Sequence, residues 1–263
     1  MKTIIRLGQF WICLAIPAKH RSPGFAARLL PLLLLLAVPA VAQAQFILAT
    51  NNGTIAITLY NGSGGNVTIP GATNGLPVTS IGENAFFLCT NLTRVSIPDS
   101  ITNCGSFAFY YCSGLASVTI GDGITSVGNY AFFNCTNLTS VYFKGDAPSL
   151  GVSVFSNDNA TVYYLPGTTN WSSSFGGLQT VLWDPQVQAD ANFGARSNRF
   201  GFAIAGTSNF VVVVDACTNL SNSAWSPLAT NTLTGGSSHF SSYFSDPQWT
   251  NRPARFYRIR PPW

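Results

Sequence analysis

The sequence predicts a mainly β fold with short helical turns: a right-handed solenoid of 23-residue repeats, followed by a small all-β, sandwich-like domain. Three observations carry that expectation. A gapless 23-residue period runs through the middle of the chain. Only 8% of the 263 residues are charged while 46% are hydrophobic, which suits packed strands and turns and not a disordered polar chain. Beyond the repeats, short apolar runs alternate with Gly, Asn, Ser and Pro, the pattern of a β module.

Residues 1–44 read as a secretory signal peptide. Lys2, Arg6, Lys19, Arg21 and Arg28 precede the apolar run Leu29–Val38, and Ala42-Gln43-Ala44 offers a small-residue cleavage site before Gln45. A second apolar patch, Phe10–Ala18, makes this leader long. A membrane span needs about 18 or more uninterrupted apolar residues, whereas Pro31 and Pro39 bracket a shorter run, so no transmembrane segment is expected after cleavage. Beyond Ala44, eight Lys plus Arg face nine Asp plus Glu, a balance of −1. A near-neutral mature chain has no basic face with which to displace counterions from phosphates, so nucleic acid is not expected as a partner.

Residues 45–66 are read as an N-terminal capping hairpin and 67–183 as the solenoid with its C-terminal cap. Within the solenoid the register repeats at Val95, Val118 and Val141, at Gly82, Gly105 and Gly128, at Phe86, Phe109 and Phe132, at Cys89, Cys112 and Cys135, and at Leu92, Leu115 and Leu138. One repeat reads physically as follows. Val95 and Ile97 point inward from a short strand, Pro98-Asp99 turns the chain, and Ile101 points in again. Gly105 is expected to relieve a tight bend, and Ala108, Phe109 and Cys112 to form the apolar face of a brief helical turn before Leu115 closes the circuit. Such a unit leaves its apolar edge open, so only stacking buries it. Upstream, Val67-Thr-Ile-Pro70 matches the strand after an insertion; downstream, Tyr163-Tyr-Leu-Pro166 matches it after a one-residue deletion. Four or five rungs with degenerate ends are therefore expected.

The run from Ile97-Pro98 through Ile101-Thr102, Gly105, Ala108-Phe109, Cys112 and Leu115 to Val118 resembles the BspA-like family of bacterial surface leucine-rich repeats, over approximately residues 67–166. That resemblance implies a leucine-rich repeat solenoid with a role in adhesion or protein recognition at a cell surface, with no cofactor and no active site.

The chemistry-bearing residues agree with a non-catalytic reading. Cys89, Cys104, Cys112, Cys135 and Cys217 follow the leader; neighbouring rungs would bring Cys89, Cys112 and Cys135 within disulfide range, but we favour buried thiols, since Cys104 shares its place with Ile81 and Val127. No CxxC spacing or histidine companion supports zinc. His239 stands alone after the leader, so no catalytic triad or His-based metal cluster can be assembled. Asp99 and Asp122 share a turn position where an Asx side chain is expected to cap its own backbone.

The candidate binding face consists of the outward strand positions Arg94, Ser96, Ser117, Thr119, Ser140 and Tyr142, which vary while their inward neighbours do not; Leu88, Tyr111 and Asn134 vary likewise. Solvated polar filler is the plain alternative for any one of them. The partner expected is a protein at the cell exterior; alternatives are a glycan stacked on Tyr110, Tyr111, Tyr142 or the C-terminal Trp cluster, or a structural role in the envelope.

Residues 184–198 read as a polar linker and 199–263 as a small all-β accessory domain, whose phrases Asp215-Ala-Cys-Thr-Asn-Leu220 and Arg255-Phe-Tyr-Arg-Ile-Arg260 resemble a C-terminal module on exported proteins of Verrucomicrobia-type bacteria. Trp249, Arg252, Arg255, Tyr257 and Arg258 form a candidate C-terminal patch, because arginine beside aromatics can grip phosphates, glycans or carboxylates. Solvent-facing arginines on an ordinary strand are the plainer reading.

Overall fold

The structure, a computed structural model, describes residues 3–6, 11–14, 45–189, 193–196, 199–207, 210–222, 224–234, 240–249 and 254–262. The segment read as a signal peptide lies largely outside the described residues; within it, Thr3–Arg6 and Trp11–Leu14 pair antiparallel, and Trp11–Leu14 lies along Arg255–Arg260. Two compact units divide at Trp183.

The first unit is the solenoid. One parallel sheet stacks Gly65–Thr68, Leu92–Ile97, Ser117–Ile120, Ser140–Phe143, Thr161–Tyr164 and Leu178–Leu182 in sequence order. A second stacks Thr54–Tyr60, Leu76–Ile81, Asn103–Cys104, Ser126–Val127 and Ser149–Leu150. Register follows the sequence period: Val95 faces Val118, which faces Val141. The period then shortens more than expected. Val141 pairs with Val162 and Tyr142 with Tyr163, so the last full rung is two residues short of 23 and not one. At the ends, Phe46–Asn51 pairs antiparallel with Thr54–Tyr60 through Asn52 and Gly53, both at positive φ as a type I′ turn requires, and Ser174–Phe175 folds back on Leu178–Leu182.

The third side of each rung is a tight turn and not a helix. It is laddered like the sheets: Phe86, Phe109 and Phe132 donate their N–H groups to the carbonyls of Ala108, Ala131 and Val154 at 2.7, 2.7 and 3.0 Å. Inside, the rings of Tyr60, Phe86, Phe109, Phe132 and Phe155 stack in one column with centroids 4.6–5.4 Å apart. Offset stacking adds to the area each ring removes from water, so this column is the spine of the core.

Two details depart from the expected local chemistry. Gly105 and Gly128 do not relieve a bend at positive φ; a Cβ there would stand 2.6 Å from the Glu83 backbone nitrogen and 2.5 Å from that of Ser106, so glycine is required by the approach of the preceding rung. In the solenoid, Asp99, Asn129 and Asp146 cap the next rung and not their own turn. Asp99 Oδ1 accepts the N–H of Asp122 at 3.4 Å, Asn129 Oδ1 that of Val152 at 2.8 Å, and Asp146 Oδ1 that of Thr169 at 2.6 Å, in each case 23 residues on.

Among the described residues, the second unit is all-β apart from a short 3-10 turn at Leu220–Asn222. Its first sheet centres on Arg199–Gly206, with Gln186–Gln188 and Gly194–Arg196 along one edge and Phe240–Asp246 along the other. The segment read as a linker, 184–198, thus contributes two strands, because backbone pairing to the apolar strand Arg199–Gly206 overrides its polar composition. The second sheet centres on Val211–Cys217, between Ser226–Thr232 and Arg255–Arg260. Tyr257 joins the layers, stacking on Phe200 at 4.8 Å and meeting Phe244 edge-on at 5.7 Å.

Candidate binding surface

Alternation sends Val95, Ile97, Val118, Ile120, Val141 and Phe143 inward. The outward positions form two columns across the strand sheet. One runs Asn66, Arg94, Ser117, Ser140, Thr161, Gln179, and the other Thr68, Ser96, Thr119, Tyr142, Tyr163, Val181. The six candidate residues therefore lie on one face. Arg94 is exposed and Ser96, Ser117, Ser140 and Tyr142 are half-buried, whereas Thr119, between Ser96 and Tyr142, is only 6% exposed. Thr119 contributes to the floor of the face, not its surface.

Sequence reasoning missed how far the columns extend. Tyr163 stacks on Tyr142 with centroids 5.1 Å apart and planes 20° apart, and burial, with Tyr142 alongside, raises its pKa. The correct shortening of the last rung would have found it. Beyond the strand ends, Lys144 Nζ reaches Asp99 Oδ1 at 3.3 Å across two rungs. The face is thus an uncharged hydroxyl plateau with Arg94 on one flank, an ion pair on the other and a tyrosine pair toward its C-terminal end.

The turn side carries a second cluster. Phe87, Tyr110 and Phe133 stack at 5.3 and 5.2 Å with planes 2° and 11° apart, Phe107 stacks on Tyr130 at 5.3 Å, and Tyr111 leans on Tyr110 and Phe133. Each rung holds two left-handed residues here. Asn84, Phe107, Tyr130 and Ser153 have φ of 52–58°, and Leu88, Tyr111, Asn134 and Asn157 have φ of 56–68°. Asn tolerates that region best, whereas for bulky side chains it costs on the order of 1 kcal/mol or more per residue.

The cysteine ladder is chemically quiet. Cys112 and Cys135 are buried free thiols donating to the carbonyls of Phe86 and Phe109 at 3.1 and 3.2 Å. Burial pushes Cys104 up to about 12; burial and the neighbouring Cys112 push Cys89 up to about 11. Asp158 continues the ladder in the next rung, and burial raises its carboxyl to about 8. Among the described residues no group of three or more His, Cys, Asp or Glu is arranged to hold a metal ion.

Among the described residues, Arg255, Arg258 and Arg260 are each paired with a carboxylate. Arg258 and Arg260 both donate to Asp215 Oδ2, at 2.9 and 2.8 Å, and Arg258 also lies 4.6 Å from the Trp225 ring centroid. Arg255 pairs with Asp246 at 3.0 Å, and the Tyr257 hydroxyl donates to the same carboxylate at 2.8 Å, which together with burial pushes the phenol up. Trp249 is half-buried, and Arg252 lies outside the described residues. Their charge is directed at two buried aspartates of the same unit, Asp215 and Asp246.

A stack of 23-residue rungs with parallel strands on one side and tight turns on another defines a leucine-rich repeat solenoid. Residues 60–175 match the model of the BspA type leucine-rich repeat region in six copies, and this part of the chain belongs to that family. Solved structures similar to the chain include a leucine-rich repeat protein of T. pallidum, at 28% identity and a TM-score of 0.44, covering 55% of this chain and 63% of that one. Others are a leucine-rich repeat protein of Bacteroides capillosus, at 30% identity and a TM-score of 0.40, covering 46% and 94%, and a leucine-rich cell surface protein of Faecalibacterium prausnitzii, at 32% and 0.39, covering 52% and 41%. The chain thus spans less than two thirds of the T. pallidum structure. No curated protein matches. Among the described residues no helix is long and apolar enough to cross a membrane.

Proposed function

We propose that the chain is an exported, non-catalytic interaction protein that recognises a protein partner at the cell exterior through the strand face of its solenoid. The observation that carries this reading is the pair of continuous columns from Arg94 to Gln179 and from Ser96 to Val181. Short hydroxyl side chains lose little rotamer entropy when covered and let a partner backbone approach closely. Arg94 and the Asp99–Lys144 pair then fix orientation at the rim.

A protein suits this face better than a glycan. Sugar binding needs an open aromatic face, but Tyr142 has one face against Tyr163, and Tyr110 is enclosed between Phe87 and Phe133. The leader points to export, and the BspA-type repeat region supports an interaction role.

The test is capture of partners by the mature protein on an extracellular protein panel and a glycan array, beside S117R and S140R. These variants place a long charge on the plateau without touching the core. Loss of protein capture in both, with folding intact, is expected; binding confined to glycans sinks the reading.

A further inference from the structure

We infer that the aromatic stripe on the turn side of the solenoid is a second interaction surface, and that its occupant is a second copy of this chain. The stripe is one connected set of rings: Phe87, Phe107, Tyr110, Tyr111, Tyr130 and Phe133. It belongs neither to the strand face nor to the core.

Two independent observations mark it as more than surface filler. Phe87 is 42% exposed, Leu88 53%, Tyr111 38% and Val152 60%, so successive rungs on this side each leave a large apolar side chain open to solvent or, at Tyr130, half-buried. Four of the bulky residues here, Leu88, Phe107, Tyr111 and Tyr130, hold a positive φ where other rungs of the same ladders place Asn84, Asn134 and Asn157. Exposure and backbone strain both work against stability, and both fall on one patch. Strain of this kind collects where function requires the side chain.

The choice of occupant follows from charge, ring orientation and area. Glu83 is the only charged residue among positions 83–88, 106–111, 129–134 and 152–157. A highly charged partner therefore finds no counter-charge, while a second copy meets no repulsion. The rings stack on one another along the solenoid axis and turn their edges outward, which leaves no row of open faces for sugars. Ridges on two copies share one rung spacing of about 4.8 Å, so a two-fold, isologous pairing can interdigitate along its full length. The exposed apolar area is roughly 500 Å² per copy, so a pair buries about 1,000 Å², the lower limit for a specific interface. The result is a weak, reversible dimer.

Sedimentation velocity of the full mature chain between about 1 and 500 µM tests this, the range being set by the small interface. The expected result is a concentration-dependent monomer–dimer equilibrium. Phe107→Asn and Tyr111→Asn, which install the residue used elsewhere in the same ladders, are each expected to weaken the dimer at least about tenfold while thermal stability holds or rises. A monomer at every concentration, or a dimer of unchanged affinity in both variants, overturns the inference. Ser117→Arg leaves the dimer intact; if it abolishes the dimer, the strand face and not the stripe is the contact.

Discussion

Replacing Asp158 should stabilise the solenoid, and the gain should depend on pH. Asp158 stands 23 residues after Cys135, at the ladder position of Cys89 and Cys112, and neither carboxylate oxygen, both buried, has a hydrogen-bond partner. Burial moves its pKa from 3.8 to about 8. The folded value lies above the unfolded one, so the fold favours the protonated form. Below about pH 4 both states are protonated and no penalty exists; between about 4 and 8 the unfolded chain ionises first and stability falls; above about 8 the penalty is complete. The full displacement corresponds to roughly 6 kcal/mol as an upper bound; the Cys135 backbone amide, which favours the charged form, and relaxation of the surrounding rung leave about 1–3 kcal/mol. D158N removes the charge at nearly constant volume, and D158C restores the ladder thiol. Urea unfolding at pH 4 and pH 9 should show both variants more stable than the parent by about 1–3 kcal/mol at pH 9, with the D158N advantage vanishing at pH 4. An equal advantage for D158N at both values, or none at pH 9, refutes the reasoning.

Other perturbations follow from the same contacts. Gly105→Ala should lose about 2–4 kcal/mol in urea unfolding, because the new Cβ meets backbone of the preceding rung, whereas Gly53→Ala, with open space but a φ of +80°, should lose only about 1 kcal/mol. Cys89 and Cys104, with pKa values of about 11 and 12, should label slowly with a thiol reagent in the native protein at pH 8, and all five mature thiols should label at once in denaturant; rapid native labelling contradicts the packed ladder. Asp215→Asn leaves Arg258 and Arg260 without their shared carboxylate and should cost the C-terminal unit about 2–4 kcal/mol in thermal unfolding, read from Trp225 fluorescence.

The architecture of the solenoid was legible because its signal is redundant. The Val95, Val118 and Val141 series, the phenylalanine column and the glycine column each report the same period, and stacking converts that period directly into register. Shortening of the last rung was harder to read, since Leu165-Pro166 mimics Ile97-Pro98 with one residue removed while the pairing follows Val162. Gln186–Gln188 and Gly194–Arg196 were hidden for another reason: strand formation there is imposed by Arg199–Gly206, and polar composition alone signals a linker. The face itself was foreseeable from alternation, but the burial of Thr119 was not, because it depends on a column and not on a strand. Asp215 and Asp246 could not be matched to their arginines, since the pairings span 43, 45 and 9 residues between strands.

The caps that reach from Asp99 to Asp122, from Asn129 to Val152 and from Asp146 to Thr169 govern how such a protein can change length. Three successive units each supply an acceptor for the unit that follows, so a whole 23-residue block copied between them keeps a cap on the next rung. A fragment far from one unit in length turns inward-facing residues to solvent, whereas the last rung absorbs a two-residue deletion because Val162 still pairs with Val141 and keeps its inward place. Recombination between repeats is thereby filtered toward whole units, each extending both outer surfaces by about 4.8 Å without redesigning either. The antiparallel hairpins at Phe46–Tyr60 and Ser174–Leu182 hold the array to a defined size, because their reversed strands offer no parallel template for another chain to continue.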